Sequence, residues 1–358
     1  MLIDYLDYFP IVAAMNLGRS AVVIGRTTAG AGLTLRDFAA LRADGERIEV
    51  GENVFFGERA TVHIADGARP ARIGRDSTIG RFGLVHACTL AEGVVVGEGA
   101  SVLDGAEIGP YAVIAADGLV PPRKILEGAW LHAGSPAAPV RPITPAECRE
   151  IAQATRAGFP PVLVAASALP PLSHDAFVPE AEGAGPLHAL DGITPRIARA
   201  FVAPTAAVAG DIDVQDDASV FFGCALVAGG ARIVVGRGTN VQDNSLLTTD
   251  RARGDLVIGD GVTIGHNARI GSAEIGDGAL IGMGSRLGDA VVVEAGGCVA
   301  AGAWVDAGAR VESGWIWAGR PARPFRELRP EERQAFARFR DVYVGYGAVY
   351  RADPRDPG

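Results

Sequence analysis

Small apolar residues recur every six positions along this chain. Ile73, Ile79 and Val85 form one run, and Leu90, Val96, Val102, Ile108, Ile114 and Val120 the next, with one step of five between Val85 and Leu90. A second series runs Ile258, Ile264, Ile270 and then, after another step of five, Ile275, Ile281, Leu287, Val293, Val299, Val305 and Val311. A period of six fits neither an amphipathic helix nor a simple alternating strand. It predicts a parallel β-helix, in which each hexapeptide is one short strand and a corner. The apolar residue points into the core. Glycines directly after it, such as Gly74, Gly80, Gly97 and Gly109, are expected to make the turn geometry cheap.

The two series share one register. A shift of 185 relates Ile73 to Ile258, Ile79 to Ile264 and Leu90 to Ile275. The same shift relates Trp130 to Trp315, Gly134 to Gly319, Pro136 to Pro321, Arg141 to Arg326 and Pro145 to Pro330, and also Asp104 to Asp289. It holds without a gap from about residue 50 to residue 147, so the chain reads as a tandem duplication. Each copy closes on Trp-x-x-Ala-Gly-x-Pro-Ala and then a polar, helix-forming tail. Thr144-Pro145-Ala146-Glu147 is a capping-box pattern with Pro at the first helical position, which predicts a helix to about Ala157. Pro330 opens a longer one, Glu331 to about Tyr350. Between the copies, Gly158 to about Pro195 is rich in Ala and Pro and reads as a linker. The expected organisation is a first domain at 1–157, a linker at 158–195 and a second domain at 196–358.

Composition narrows the function classes. The chain has 358 residues, 48 of them Gly, and aromatics make up only 6%, as a thin prism requires. Charged residues are 21% and hydrophobic ones 48%, which argues against disorder. A formal charge of −9 gives no nucleic-acid footprint. The four cysteines, Cys88, Cys148, Cys224 and Cys298, form no CxxC pair and are expected to be buried and reduced. No apolar run is long enough to span a membrane, and the first residues, with Asp4 and Asp7, do not pattern as a signal peptide. A cytoplasmic setting is the expectation.

Copy two contains Asn240-Val-Gln242-Asp243-Asn244, then Ile264-Gly-His266-Asn267, then Ile281-Gly-Met283-Gly284. These strings resemble the γ-class carbonic anhydrases and their relatives among the hexapeptide-repeat proteins. The resemblance covers most of residues 197–345 and, more weakly, about 20–150. It implies an all-β fold of two left-handed parallel β-helices, each followed by a helix, trimeric assembly through β-helix faces, and zinc-dependent hydration of CO2 to bicarbonate by a lyase. In the family two histidines come from one subunit and the third from its neighbour. Three histidines plus an open position are also what a catalytic zinc requires.

Neither copy alone carries that set. In copy two the first and third ligand positions are Thr248 and Gly271, and only His266 remains. Subtracting the shift gives His63, Arg81 and His86 in copy one. Copy one also holds Arg42 and Asp44 where copy two has Val227 and Gly229, while Gln242 and Asp243 stand opposite Gly57 and Glu58. The expectation is a zinc site shared between the copies. His63 and His86 ligate from one and His266 from the other, Gln242 positions water or CO2, and Arg42, Asp44 and Asp243 form interface ion pairs. Two unlike copies cannot alternate around a three-membered ring, so a complete site needs a ring of mixed composition, as a homo-oligomer or hetero-oligomer. His132, His174 and His188 match no ligand position and are expected to be structural or exposed. Two other readings remain open. One is a scaffold whose sites have decayed. The other is an acyltransferase that uses His86 as general base toward a CoA thioester. Gly25 to Gly32 lacks the Lys-Ser/Thr of a P-loop.

Overall fold

The computed structural model describes residues 1–64, 67, 69–159 and 185–352. The chain divides into two compact units, Met1–Leu172 and Ser173–Gly358. Each unit is a parallel β-helix with one 12-stranded and one 8-stranded sheet, so the chain is two tandem β-helices as expected. Of the expected linker, 160–184 lies outside the described residues, and so does His174. Leu187–His188 falls inside the expected linker of 158–195, yet it pairs in parallel with Ala207–Val214 of the second unit.

Most strands are two or three residues long, because the chain turns a corner every six. In the first unit Ile79 lies in register with Phe56 on one side and Val96 on the other, and Val96 with Ile114. All four are fully buried. In the second unit Val241, Ile264, Ile281 and Val299 form the equivalent column. Stacking the same apolar type on successive rungs makes a continuous core from residues that share no local contact.

The glycines after the inward residue are not there for left-handed backbone. A Cβ at Gly74 would lie 2.4 Å from the carbonyl carbon of Ala91, and one at Gly97 would lie 2.7 Å from the amide nitrogen of Ala116. The next rung passes too closely for a side chain. The left-handed residues sit later in the hexapeptide, at Gly93, Gly99 and Gly105 and also at Asp76 and Asp117.

Each β-helix ends in an antiparallel hairpin, Trp130–Gly134 with Ala137–Pro142 and Trp315–Gly319 with Ala322–Glu327. Helix α1, Pro145–Arg156, follows the first; Thr144 caps it by accepting from the Glu147 amide at 3.1 Å. Helix α2, Pro330–Ala352, follows the second. Tyr343, Gly347 and Tyr350 share one face of α2 and are buried. Tyr350 stacks on Phe201 with centroids 5.3 Å apart, and Tyr343 meets the edge of Phe221 at 5.5 Å. All four cysteines are buried. Burial pushes the Cys148 thiol up to about 11 and that of Cys298 up to about 12, so they are packing residues rather than nucleophiles. Among the described residues no helix is long and apolar enough to cross a membrane.

Candidate metal centre

The first unit stacks three polar residues on successive rungs. Arg42 in Ala40–Val50 lies in register with His63 in Thr61–Ile64, and His63 with His86 in Leu84–His86. Parallel neighbours sit about 4.8 Å apart, so the three side chains form one column. Arg42 and His63 are fully buried, and Asp44 and His86 nearly so. Asp44 pairs with Arg42 and places its Oδ2 3.1 Å from His63 Nε2. The other nitrogen of that ring, Nδ1, faces His86 Nε2 at 3.2 Å. His86 Nδ1 in turn lies 3.1 Å from Asp104 Oδ2.

Two carboxylates therefore flank the histidine pair from outside. A carboxylate holds the N–H of a neutral imidazole on its own side and leaves the lone pair on the other nitrogen. His63 Nδ1 and His86 Nε2 face each other, and when each ring carries its proton on the carboxylate side both present lone pairs to a cation between them. Two nitrogens held at 2.0–2.1 Å on a tetrahedral zinc lie about 3.3 Å apart, which the observed separation matches. The donor set fits such an ion.

The second unit supplies the same tautomer logic once. His266 sits in the corner after Thr263–Ile264, fully buried. Its Nδ1 lies 3.1 Å from Asp243 Oδ2, one rung earlier. Asp243 is held in place because its Oδ1 accepts from the Phe222 amide at 3.1 Å. His266 Nε2 faces the Tyr343 hydroxyl of α2 at 3.4 Å. Gln242 donates from Nε2 to Asn240 Oδ1 at 3.0 Å, and Asn240 donates to Thr263 Oγ1 at 3.0 Å. The Gln242 carbonyl oxygen is thereby the end of the amide turned away from Asn240.

The equivalent positions differ in kind. Where the second unit pairs Asp243 with His266, the first pairs Glu58 with Arg81 at 3.4 Å. Where the first has His86, the second has Gly271, and a Cβ there would meet Asp289 Oδ1 at 2.2 Å. The carboxylate that turns to a histidine in the first unit, as Asp104, fills the vacated space in the second.

Sequence reasoning had singled out His63, His86, His266, Gln242, Asp243, Arg42 and Asp44. It had not singled out Tyr343 or the role of Asp104. Asp104 carries a sequence signal, since it sits at the same place in the repeat as Asp289, one rung after the ligand column. Tyr343 carries only the spacing Tyr343, Gly347, Tyr350 of one helix face. His132 is buried with Nε2 2.9 Å from the Glu127 carbonyl oxygen, a structural bond.

No protein-family model matches the sequence. The chain is 35% identical over 162 residues to a carbonic anhydrase of Geobacillus kaustophilus, covering 45% of this chain and 88% of that protein. The chain belongs to the γ-class carbonic anhydrase-like hexapeptide-repeat family. It is also 40% identical over 163 residues to gamma carbonic anhydrase 1, mitochondrial, of Arabidopsis thaliana, covering 44% of this chain and 59% of that one. Gamma carbonic anhydrase 2, mitochondrial, of the same plant is 38% identical over 158 residues, with 43% and 57% covered. The chain thus spans little more than half the length of these plant relatives. Among solved structures, a hexapeptide transferase family protein from Anaplasma phagocytophilum is 37% identical, with 46% of this chain and 97% of that one covered and a TM-score of 0.44. Each match to a γ-class relative spans less than half of this chain, as a tandem pair of family domains requires.

Proposed function

We propose that this γ-class carbonic anhydrase-like protein hydrates CO2 reversibly at a zinc site made jointly by the two copies, with His63 and His86 as ligands from the first and His266 from the second. The two halves come from one chain or from neighbouring chains in an oligomer built through β-helix faces. The observation that carries this reading is the His63 Nδ1 to His86 Nε2 approach of 3.2 Å, with a carboxylate behind each ring. Two ring nitrogens that face each other with a carboxylate behind each ring, Asp44 and Asp104, suit a metal ion between them.

Zinc at such a triad supplies the Lewis acidity that brings the pKa of a water to near 7. The chain's own residues do the rest. Asp44, Asp104 and Asp243 hold each imidazole in the ligating tautomer. Gln242, anchored through Asn240, aims its carbonyl oxygen as an acceptor for a hydroxyl proton, which orients water against CO2. Arg42 neutralises Asp44 in the buried column. An acyltransferase would need His86 Nε2 turned to substrate as a general base; here that nitrogen is turned to His63.

The test is zinc content and CO2 hydration by stopped flow on purified protein and on His266→Ala. Tightly held zinc and hydration, both lost in the variant, are expected. Protein that takes up no zinc when it is supplied would overturn the reading and leave a scaffold.

A further inference from the structure

The first rung of the first unit is built differently from its counterpart. The shift of 185 extends back to this rung, since Leu2 lies in register with Val23 as Leu187 does with Val208, and Ile11 with Thr28 as Arg196 does with Asp213. Between those strands each unit makes a two-residue turn, closed by the Tyr5–Tyr8 bridge in the first and the Leu190–Ile193 bridge in the second. Both central residues of each turn are left-handed. The second unit places Asp191-Gly192 there, a pair that adopts that backbone readily. The first places Leu6-Asp7, with φ of 48° and 64°. A leucine in that conformation is strained. Its side chain is 60% exposed, so packing inside the unit does not explain it.

Leu6 is not alone. Phe9 is 59% exposed and Ile11 72%, and Met1, Tyr8 and Leu17 of the same stretch are exposed too. The second unit has Asp191, Thr194 and Arg196 in place of Leu6, Phe9 and Ile11. The backbone of this rung is also open. Among the described residues Leu2–Ile3 and Ile11–Val12 pair only with Val22–Ala29, and Met15–Leu17 only with Leu33–Leu35. Each therefore has a second edge with no described strand on it. Folds blunt such an edge with charge, as Arg196 does in the second unit, or close it, as the antiparallel hairpins do at the far end of each β-helix. Here apolar side chains line it instead.

We propose that this first rung is a docking surface for a second copy of the chain, paired edge to edge about a two-fold axis. An open backbone edge takes a strand, and the same rung of a second copy supplies strands of matching length. Strands related by that axis run antiparallel, and the contact closes at two copies. Leu6, Phe9 and Ile11 are then covered by their counterparts. Charge agrees with a like partner. Residues 1–18 hold Asp4 and Asp7 and no Lys or Arg, while the exposed Arg26 lies over the Tyr8 ring, 3.6 Å from its centroid. Each copy thus brings both signs to the contact. The surface is separate from the zinc ligands, and assembly through β-helix faces leaves the rung ends open.

The experiment is sedimentation velocity of the full chain over a range of concentrations, with amide hydrogen exchange of residues 1–17 at both ends of that range. Three variants give the first unit the residues that the second unit already carries: Ile11→Arg, the double change Leu6→Asp with Asp7→Gly, and Ile125→Arg. The last is a control, because Ile125 is exposed on a different rung and Arg310 stands at its place in the second unit. Wild type is expected to reach twice the mass of Ile11→Arg. That charge should weaken self-association about tenfold or more, and the turn exchange severalfold. Ile125→Arg should associate like wild type. The turn exchange should melt no lower than wild type, because it relieves the strained leucine. The rung amides should gain protection as concentration rises. Wild type that never exceeds the mass of Ile11→Arg, equal weakening by Ile125→Arg, or a turn exchange that lowers the melting temperature and leaves association unchanged would each overturn the proposal. So would protection that is independent of concentration, the mark of an edge covered by another segment of the same chain.

Discussion

The two units share a fold rung for rung and differ at their helices and their polar columns. In the second unit, α2 runs for 23 residues because Phe201, Phe221 and Phe222 give Tyr343 and Tyr350 an aromatic seat. In the first, the same positions are Asn16, Arg36 and Asp37, and α1 stops after 12 residues. Its last residue, Arg156, closes the helix by donating to the carbonyls of Asn53, Asp76 and Ser77 at 3.1–3.2 Å. One copy has kept the two-histidine column, the other the single histidine with its helix and amide. Shared architecture fixes where side chains point, and the substitutions then decide what each copy can do.

The sharpest way to break this comparison is to exchange one corner residue at a time. His266→Ala should weaken zinc binding by more than about 100-fold, since even second-shell changes cost 10–100-fold. Arg81→Ala, at the same place in the first unit, should leave zinc content unchanged. Equal losses from both would show that the units are not divided as proposed. Metal analysis after dialysis decides it.

The core columns should behave alike. Ile79→Ala and Ile264→Ala remove the same buried methyl groups from equivalent rungs, so each should destabilise its unit by about 2–5 kcal/mol. Urea unfolding of the full chain measures both. A large gap between them would mean that the register is shared but the packing is not.

A smaller effect sharpens the reading of the carboxylates. Asp104→Asn removes the group that holds His86 in its tautomer and should cost about 10–100-fold in zinc affinity. Asp289→Asn, the equivalent change, should cost nothing in affinity, because its carboxylate faces Gly271. If both variants bind zinc like wild type, Asp104 does not position His86.

How much of this was legible beforehand follows from what a six-residue period encodes. It placed Ile79, Val96 and Ile114 in the core, and the constant shift placed His63 opposite Thr248. The capping box at Thr144 gave the start of α1 correctly. What it could not give was partnership across rungs. That Asp44 reaches His63, or that Asp104 reaches His86, depends on which way a side chain leans from its rung, and the period is silent on that. The glycines after the inward residue were read as easing turn geometry, whereas the demand at Gly74 and Gly97 is close approach of the next rung; both demands select the same residue. The extent of α2 was given to within two residues, but its seat was not, since Phe201 and Phe221 lie more than a hundred residues away in sequence.

The smallest predicted difference concerns the two helix starts. In the first unit Glu147 accepts from both terminal nitrogens of Arg141. In the second, Glu332 accepts from both terminal nitrogens of Arg326 and also from the side chain and backbone amide of Arg329. Both carboxyls are held below the ordinary value, by Arg141 for Glu147 and by Arg326, then Arg329, for Glu332. A carboxyl lowered on folding stabilises the native state at pH above its unfolded value, about 4.5, and that contribution is lost as the pH falls through the folded value. The extra donors place that loss at lower pH for α2 than for α1. Both pairs are partly open to solvent, so the effect on overall stability is small and shrinks in salt. Carboxyl NMR titration should find Glu332 protonating below Glu147. The reverse order, or no difference, would show that the additional Arg329 contacts do not persist in solution and that the two helix starts are electrostatically equivalent.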